Sequence, residues 1–135
     1  MIVLDSSFII AFHNSRDTHH PAASKAMKRL LKGEWGSALL PEYVFLEVVT
    51  VLASRRDLAT AVRVGSILLN SRDVELVPCS DLFGETFAVF QAQAQGPVLS
   101  FADSAIVALA RRRSTQFVAT FDRGFARVDD LTVVP

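Results

Sequence analysis

The sequence predicts an α/β fold in which a mostly parallel central sheet carries helices on both faces. Two observations support this prediction. Short apolar runs with the length and composition of buried strands recur along the chain, and longer segments with helical periodicity separate most of them. Strands that alternate with helices in this way pair in parallel, because each crossover helix returns the chain to the edge where the previous strand began.

The chain has 135 residues, of which 50% are apolar and 21% are charged, a composition typical of a globular domain with its own hydrophobic core. We therefore expect a single domain over residues 1–135. Fourteen basic and fourteen acidic residues balance, so the chain lacks the overall positive charge that binds nucleic acid non-specifically. A nucleic-acid substrate would have to be held by local groups.

The one cysteine, Cys79, excludes an internal disulfide and a cysteine-based metal site, and it indicates a reducing compartment. The first residues lack the basic segment of a signal peptide. The most apolar stretch, residues 38–53, is interrupted by Pro41, Glu42 and Glu47 and therefore predicts no membrane span. We expect a cytoplasmic protein.

Strands and helices can be assigned in order along the chain. Five strands are predicted, at residues 2–4, 36–40, 74–78, 117–120 and 131–134. Six helices are predicted, at residues 8–12, 18–32, 42–54, 58–69, 82–95 and 100–113. Gly33 is expected to end the second helix and Asp57 to cap the fourth, whereas Gly96 and Pro97 are expected to form a turn.

The clearest helix start lies at Ser100. Its side chain is placed to accept the backbone N–H of Asp103, and Asp103 lies in the first turn, where the helix dipole favours a carboxylate. Capping alone would explain Asp103. The positions of three other acids indicate that it also belongs to a site.

These acids are predicted to lie at the same edge of the sheet as Asp103. Asp5 directly follows the first strand and Asp122 follows the fourth, whereas Asp103 begins the helix that leads into the fourth strand. The carboxyl ends of parallel strands form the usual crevice of an open α/β sheet, and a right-handed crossover brings the start of that helix to this edge. Glu47 lies in the apolar third helix, where we expect it to be buried.

Each acid also has a purely structural interpretation. Asp5 can cap a helix, Asp122 can hold a turn before Arg123, and Glu47 can pair with an arginine. A cluster of carboxylates is strained by mutual repulsion, however, and a divalent cation removes that repulsion. Oxygen ligands without histidine or cysteine select Mg²⁺ or Mn²⁺ over zinc, and such ions in acidic pockets most often act on phosphate esters.

The order of these motifs resembles that of a PIN domain. Four segments carry the resemblance: Ile-Val-Leu-Asp-Ser-Ser at the first strand, Leu-Glu-Val-Val in the third helix, Ser-Phe-Ala-Asp-Ser-Ala-Ile-Val-Ala-Leu-Ala from Ser100, and Ala-Thr-Phe-Asp-Arg-Gly-Phe after the fourth strand. The ending Asp-Asp-Leu-Thr-Val-Val-Pro is similar to the usual close of the family. The match covers the whole chain in order, and the compact size resembles the VapC toxins.

This resemblance implies a three-layer α/β/α sandwich and a Mg²⁺- or Mn²⁺-dependent ribonuclease. In such an enzyme, water attacks an RNA phosphodiester and leaves a 5′-phosphate and a 3′-hydroxyl. The resemblance further implies a homodimer and a cognate antitoxin, which typically blocks the site with a C-terminal segment and often places an arginine or lysine among the carboxylates.

The resemblance also assigns residues to the site. Four positions match the family's acids: Asp5, Glu47, Asp103 and Asp122. The first and third of these are the expected direct metal ligands, and the other two would complete the site directly or through water. Thr120 and Ser6 would orient ligands or water around them. Arg123, beside the last acid, is placed to meet an RNA phosphate.

Other polar and aromatic residues are predicted to have ordinary roles. The arginine run 111–113 is expected to be a solvated helix end. Three histidines are expected to be solvated rather than to form a metal site: His13, His19 and His20. Trp35 and the phenylalanines are expected in the core or in a dimer interface.

Three other functions stay open at this point. A signalling receiver domain also holds Mg²⁺ at this edge of a sheet, but it needs paired acids after the first strand, and here Asp5 is followed by Ser6. It also needs an acceptor aspartate after the third strand, where Pro78 and Cys79 stand. A PIN-fold module that binds RNA or a partner without catalysis, and a nuclease that processes RNA or cleaves DNA without a toxin role, would share the residues above.

Overall fold

The computed structural model describes residues 1–93 and 99–135 and contains the predicted parallel sheet. Its five strands are β1 (Ile2–Leu4), β2 (Ala38–Pro41), β3 (Val74–Val77), β4 (Phe117–Ala119) and β5 (Thr132–Val134). Their spatial order is β3-β2-β1-β4-β5, and every neighbouring pair is parallel. The predicted α/β fold class is confirmed.

Helices connect these strands. In the described part of the chain they are α1 (Ser6–His13), α2 (His20–Leu31), α3 (Glu42–Arg55), α4 (Leu58–Asn70), α5 (Phe83–Gln91) and α6 (Phe101–Arg112), with 3-10 turns at Ser80–Leu82 and Arg123–Arg127. The chain builds outward from β1 to β3 and then returns to β4. Right-handed crossovers therefore place α1 to α4 on one face of the sheet and α5 and α6 on the other.

The strand order reverses between β1 and β4, and this is where an open α/β sheet forms its crevice. The two strands are in register, with Ile2 opposite Phe117 and Leu4 opposite Ala119, so their carboxyl ends are level. The backbone N–H of Asp5 extends the pairing with a 3.0 Å hydrogen bond to the carbonyl of Ala119. The residues that follow each strand are consequently neighbours.

Helix α6 contributes a long buried run to the hydrophobic core. Residues 104–110 of this helix are all buried, and the helix packs against β1, β2 and β4. Both β1 and β2 are buried along their whole length. Trp35 is buried as well, so its predicted place in the core is confirmed.

The predicted boundaries differ from the observed ones in a few places. The first helix begins at Ser6, two residues early, and the last residue of β2 is Pro41, which was expected to follow the strand. The helix predicted at 82–95 is α5, which begins at Phe83 after the 3-10 turn and ends at Gln91, earlier than expected. The expected turn at Gly96 and Pro97 lies outside the described residues.

Two local signals in the sequence are confirmed. Gly33 ends α2 with a φ of 80°, which favours glycine. Asp57 caps α4, with its Oδ1 accepting the backbone N–H of Thr60 at 2.6 Å. Among the described helices, none has the length and apolar character that crossing a bilayer requires.

Candidate active site

Asp5 is a buried carboxylate held by hydroxyl groups. The residue is 4% exposed. Its Oδ2 accepts hydrogen bonds from Ser7 Oγ at 2.6 Å and Thr120 Oγ1 at 2.7 Å, and its Oδ1 accepts a longer one from Ser6 Oγ at 3.4 Å. Although Asp5 precedes α1, its side chain accepts no backbone N–H of that helix. The interpretation of Asp5 as a helix cap is therefore wrong.

Asp122 is tied to the same hydroxyl that holds Asp5. Its backbone N–H donates to Thr120 Oγ1 at 2.9 Å, and Thr120 is fully buried. The Asp122 side chain is exposed, and its Oδ1 accepts the backbone N–H of Gly124 at 2.8 Å. The turn that Asp122 was predicted to hold is present, so this carboxylate stabilises a turn while it borders the acidic cluster.

Asp103 combines a capping role with a place at the site. Ser100 Oγ accepts the backbone N–H of Asp103 at 3.0 Å, and Asp103 Oδ2 accepts the backbone N–H of Ser100 at 3.1 Å, which completes a capping box. Burial raises the pKa of Asp103, the hydrogen bonds from Ser100 oppose this, and the negative charges of Asp5 and Asp122 raise the pKa further. The start of α6 thus places Asp103 near the carboxylates of Asp5 and Asp122.

Glu47 borders the same cluster from α3. The prediction that it is buried is wrong, because the inward face of α3 is formed by Val44, Val48 and Leu52 and leaves Glu47 exposed. Its pKa is nevertheless raised, first by partial loss of solvation and then by the negative charges of three acids: Asp5, Asp103 and Asp122. The nearby hydroxyl of Ser6 acts in the opposite direction.

The four predicted acids therefore lie within electrostatic reach of one another at the carboxyl edge of the sheet. Their donor atoms are all oxygens, which suits a hard cation such as Mg²⁺ or Mn²⁺. In residues 1–93 and 99–135, however, no three histidine, cysteine, aspartate or glutamate side chains are arranged so that they could hold a metal ion. One oxygen each of Asp103 and Asp122 is bonded to backbone. To ligate one ion together, the carboxylates would have to move closer.

Ser7 is a site residue that the sequence did not predict. It donates to Asp5, lies 3.2 Å from the hydroxyl of Thr120, and accepts the backbone N–H of Phe121 at 3.0 Å. The Asp-Ser-Ser run pointed only to a helix start. Ser7 contacts the site because β4 ends level with β1, which brings Thr120 and Phe121 beside it. A local sequence pattern cannot show such a relation between distant segments.

The arginines named in the sequence lie in two different places. The arginine run 111–113 lies at the other end of α6, where its members pair with Asp130, Glu85 and Glu75 respectively. The run is therefore a set of ion pairs and not simply a solvated helix end. Arg123 is exposed beside Asp122, and it takes part in none of the ion pairs found among the described residues.

The three histidines are not equivalent. His20 has both ring nitrogens engaged, with Nδ1 2.9 Å from the carbonyl of Ala11 and Nε2 3.3 Å from Ser24 Oγ. His13 is half-buried. Only His19 is exposed as expected, and its ring lies against Phe121.

Comparison with known proteins identifies the class. The family model for the PIN domain matches residues 2–131, and the chain therefore belongs to the PIN domain family. No curated protein sequence matches it.

Solved structures with this fold include VapC toxins. VapC20 of Mycobacterium tuberculosis, described as a toxin that cleaves the sarcin–ricin loop, is 26% identical over 100% of both chains, with a TM-score of 0.83. VapBC2 of Rickettsia felis, bound to a DNA fragment from its promoter, is 15% identical over 98% of this chain and 97% of that one, with a TM-score of 0.68.

A toxin–antitoxin complex from Klebsiella pneumoniae is 16% identical over 100% of this chain and 97% of that one, also with a TM-score of 0.68. The last two likenesses concern the fold alone. Together with the family match, the comparisons place the chain among PIN domains with the VapC fold, which supports a nuclease toxin role.

Proposed function

We propose that this protein is a Mg²⁺- or Mn²⁺-dependent endoribonuclease and the toxin of a toxin–antitoxin pair. The observation that carries the proposal is the environment of Asp5: a buried carboxylate, held by hydroxyls, without a neighbouring cation among the described residues, and facing three more acids. Such an arrangement is costly unless a cation joins it.

The residues fit a divalent cation by their chemistry. Asp5 and Asp103 would bind it directly, and Glu47 and Asp122 would complete the site directly or through water. Loss of solvation, and after it the negative charges of the neighbouring acids, raise the pKa values of Glu47 and Asp103, and a bound cation would oppose the second of these effects. When bound, the ion would supply Lewis acidity and a water of lowered pKa.

The chain's own groups would position the reacting parts. The hydroxyls of Ser6, Ser7 and Thr120 fix the orientation of Asp5. Arg123 would meet a phosphate of the RNA. The reaction is hydrolysis: the water oxygen bonds to phosphorus, the bond from phosphorus to the 3′ oxygen breaks, and the products carry a 5′-phosphate and a 3′-hydroxyl.

The proposal includes two protein partners, a second copy of the chain and an antitoxin, and it places the protein in the cytoplasm. Exposed aromatic surface supports an association of this kind. Phe83, Phe87 and Phe90 follow one another at helical spacing on α5 and are 54%, 55% and 38% exposed. Phe83 and Phe90 also contact Phe101 at the start of α6.

A cleavage assay on the purified chain tests the proposal. Because VapC20 is described as cleaving the sarcin–ricin loop, an RNA hairpin with that sequence is the first substrate, beside a bulk structured RNA. We expect cleavage with Mg²⁺ or Mn²⁺, none with EDTA, and none from Asp5→Asn with either ion. Cleavage in EDTA, or full activity of Asp5→Asn, would contradict the proposal.

A binding module without catalysis is the second candidate. One observation favours it: the carboxylates of the described residues are not arranged to hold an ion. A melting experiment separates the two candidates. The nuclease predicts that Mg²⁺ or Mn²⁺ raises the Tm of the wild type and not that of Asp5→Asn, whereas the module predicts RNA or partner binding with no response to metal.

A further inference from the structure

Three aromatic rings lead from the hydrophobic core to the surface beside Asp5. The innermost, Phe8, is 1% exposed, and its ring centroid lies 6.3 Å from that of Phe121 with an interplanar angle of 25°. Phe121 is half-buried, and its centroid lies 4.3 Å from that of His19 with an angle of only 15°. His19 is exposed and forms the outer layer of the stack.

The stack is attached to the acidic site by hydrogen bonds. Phe121 stands between Thr120 and Asp122 in the chain, and its backbone N–H donates to Ser7 Oγ at 3.0 Å. Ser7 Oγ in turn donates to Asp5 Oδ2 at 2.6 Å. The ring of His19 therefore borders the group of residues that fixes Asp5.

The backbone around His19 is held before any ligand arrives. The backbone N–H of His19 donates to Asp17 Oδ1 at 2.7 Å, that of His20 donates to the Asp17 carbonyl at 3.0 Å, and the His19 carbonyl accepts the N–H of Ala23 at 2.9 Å. When a planar group stacks on this ring, only the His19 side chain has to be ordered, and Phe121 already supports it. The entropic cost of binding is therefore small.

We propose that the exposed face of His19 is a nucleobase-binding subsite, on which one base of the bound RNA stacks as the next layer after Phe8, Phe121 and His19. The inference rests on the proposed ribonuclease function and adds a point of substrate recognition to it. Aromatic side chains bind bases of single-stranded RNA in this way. Arg123 is exposed two residues after Phe121 in the chain, and its guanidinium would meet an adjacent phosphate.

The test is a cycle of paired changes in protein and RNA. The parent protein is the full chain with Asp5→Asn, which prevents cleavage during the measurement. The probe is a fluorescein-labelled hairpin with the sarcin–ricin loop sequence. Variants of the probe carry one abasic nucleotide at each loop position in turn. Binding is measured by fluorescence anisotropy for the parent, His19→Leu and His19→Phe. Leucine keeps an apolar cover on Phe121 without a π-face, whereas phenylalanine keeps the ring and removes any charge.

We expect His19→Leu to raise the Kd about tenfold and His19→Phe to leave it within about twofold of the parent. At one loop position, the abasic nucleotide should raise the Kd of the parent about tenfold and that of His19→Leu hardly at all, because the two changes remove the same contact. Melting curves of the three proteins control for folding.

Equal affinity of the leucine and phenylalanine variants, coupling at no loop position, or no RNA binding by the parent would overturn the inference. The ring would then serve packing or an aromatic group of a protein partner. The cleavage assay on the chain with Asp5 intact keeps the two proposals separate. Cleavage without coupling would support the nuclease and contradict the base-binding subsite. Coupling without cleavage would support the subsite and contradict the nuclease.

Discussion

Thr120 Oγ1 donates a 2.7 Å hydrogen bond to Asp5 Oδ2, joining the residue after β4 to the residue after β1. The same oxygen accepts the backbone N–H of Asp122 at 2.9 Å. Thr120 is fully buried, so water does not compete for either bond. One hydroxyl therefore sets the relative position of two acids that come from different strands.

Removing this hydroxyl should impair the site without unfolding the chain. We expect Thr120→Val to lower the cleavage rate about 10- to 100-fold, the usual effect of losing a group that orients a metal ligand, because valine keeps the shape of threonine but offers no hydrogen bond. Initial rates on the RNA hairpin measure this. Thr120→Ser keeps the hydroxyl and should remain close to wild type; an equal loss in both variants would assign the effect to packing.

Asp103 allows its charge to be separated from its capping role. Asp103→Asn removes the negative charge and should abolish cleavage. Its amide oxygen can still accept the backbone N–H of Ser100, and a like charge near Asp5 is gone. The metal-free Tm should therefore stay at or above that of the wild type. Asp103→Ala removes both functions and should melt at a lower temperature. Thermal melts in EDTA compare the three proteins. A marked loss of stability in Asp103→Asn would restrict Asp103 to capping.

His13 should make stability depend on pH. Its pKa is lowered by burial and by the positive charge of Arg63, so the folded protein binds a proton on this ring less readily than the unfolded chain does. The free energy of unfolding should therefore fall as the pH drops below about 6.5, the ordinary histidine value, and this contribution is absent above it. Urea titrations at pH 7.5 and 5.5 measure the difference. His13→Gln should lose less stability on acidification; identical losses would contradict the prediction.

Thr86 on α5 carries a buried hydroxyl that has no hydrogen-bond partner in the described structure. An unsatisfied buried polar group is destabilising, so Thr86→Val should raise the free energy of unfolding by ~1 kcal/mol. Thr86→Ser is the matched control, because it keeps the hydroxyl, loses a buried methyl and should be less stable by ~1 kcal/mol. Urea denaturation ranks the three proteins, and a valine variant less stable than wild type would mean that the hydroxyl has a partner.

The sequence predicted what depends on local pattern and on strand order. Asp5 and Asp122 follow apolar runs, so their place at one sheet edge followed from the alternation of strands and helices. The Ser100 and Asp103 capping box was visible from their spacing and is present. Short strands with few polar residues made the sheet itself easy to recognise.

The features that the sequence did not predict depend on contacts between distant segments. Glu47 was expected to be buried because α3 is apolar, yet the helix shows apolar side chains on its outer face too, with Leu46 62% exposed. The contact of Ser7 with Thr120 and that of His19 with Phe121 each join residues more than a hundred positions apart. No periodicity carries such information.

The burial of α6 has a consequence for measuring occupancy of the site. Asp103 lies at the start of a helix whose residues 104–110 are all buried, and Asp5 directly follows a fully buried strand. The backbone that carries these two acids is anchored in the core, although their side chains can reorient, so the site has no folding unit of its own. A ligand that binds these acids should therefore slow amide hydrogen exchange throughout α6 and the central strands, including amides far from the ligand. Amide hydrogen exchange in the core therefore measures occupancy of the acidic site at the sheet edge.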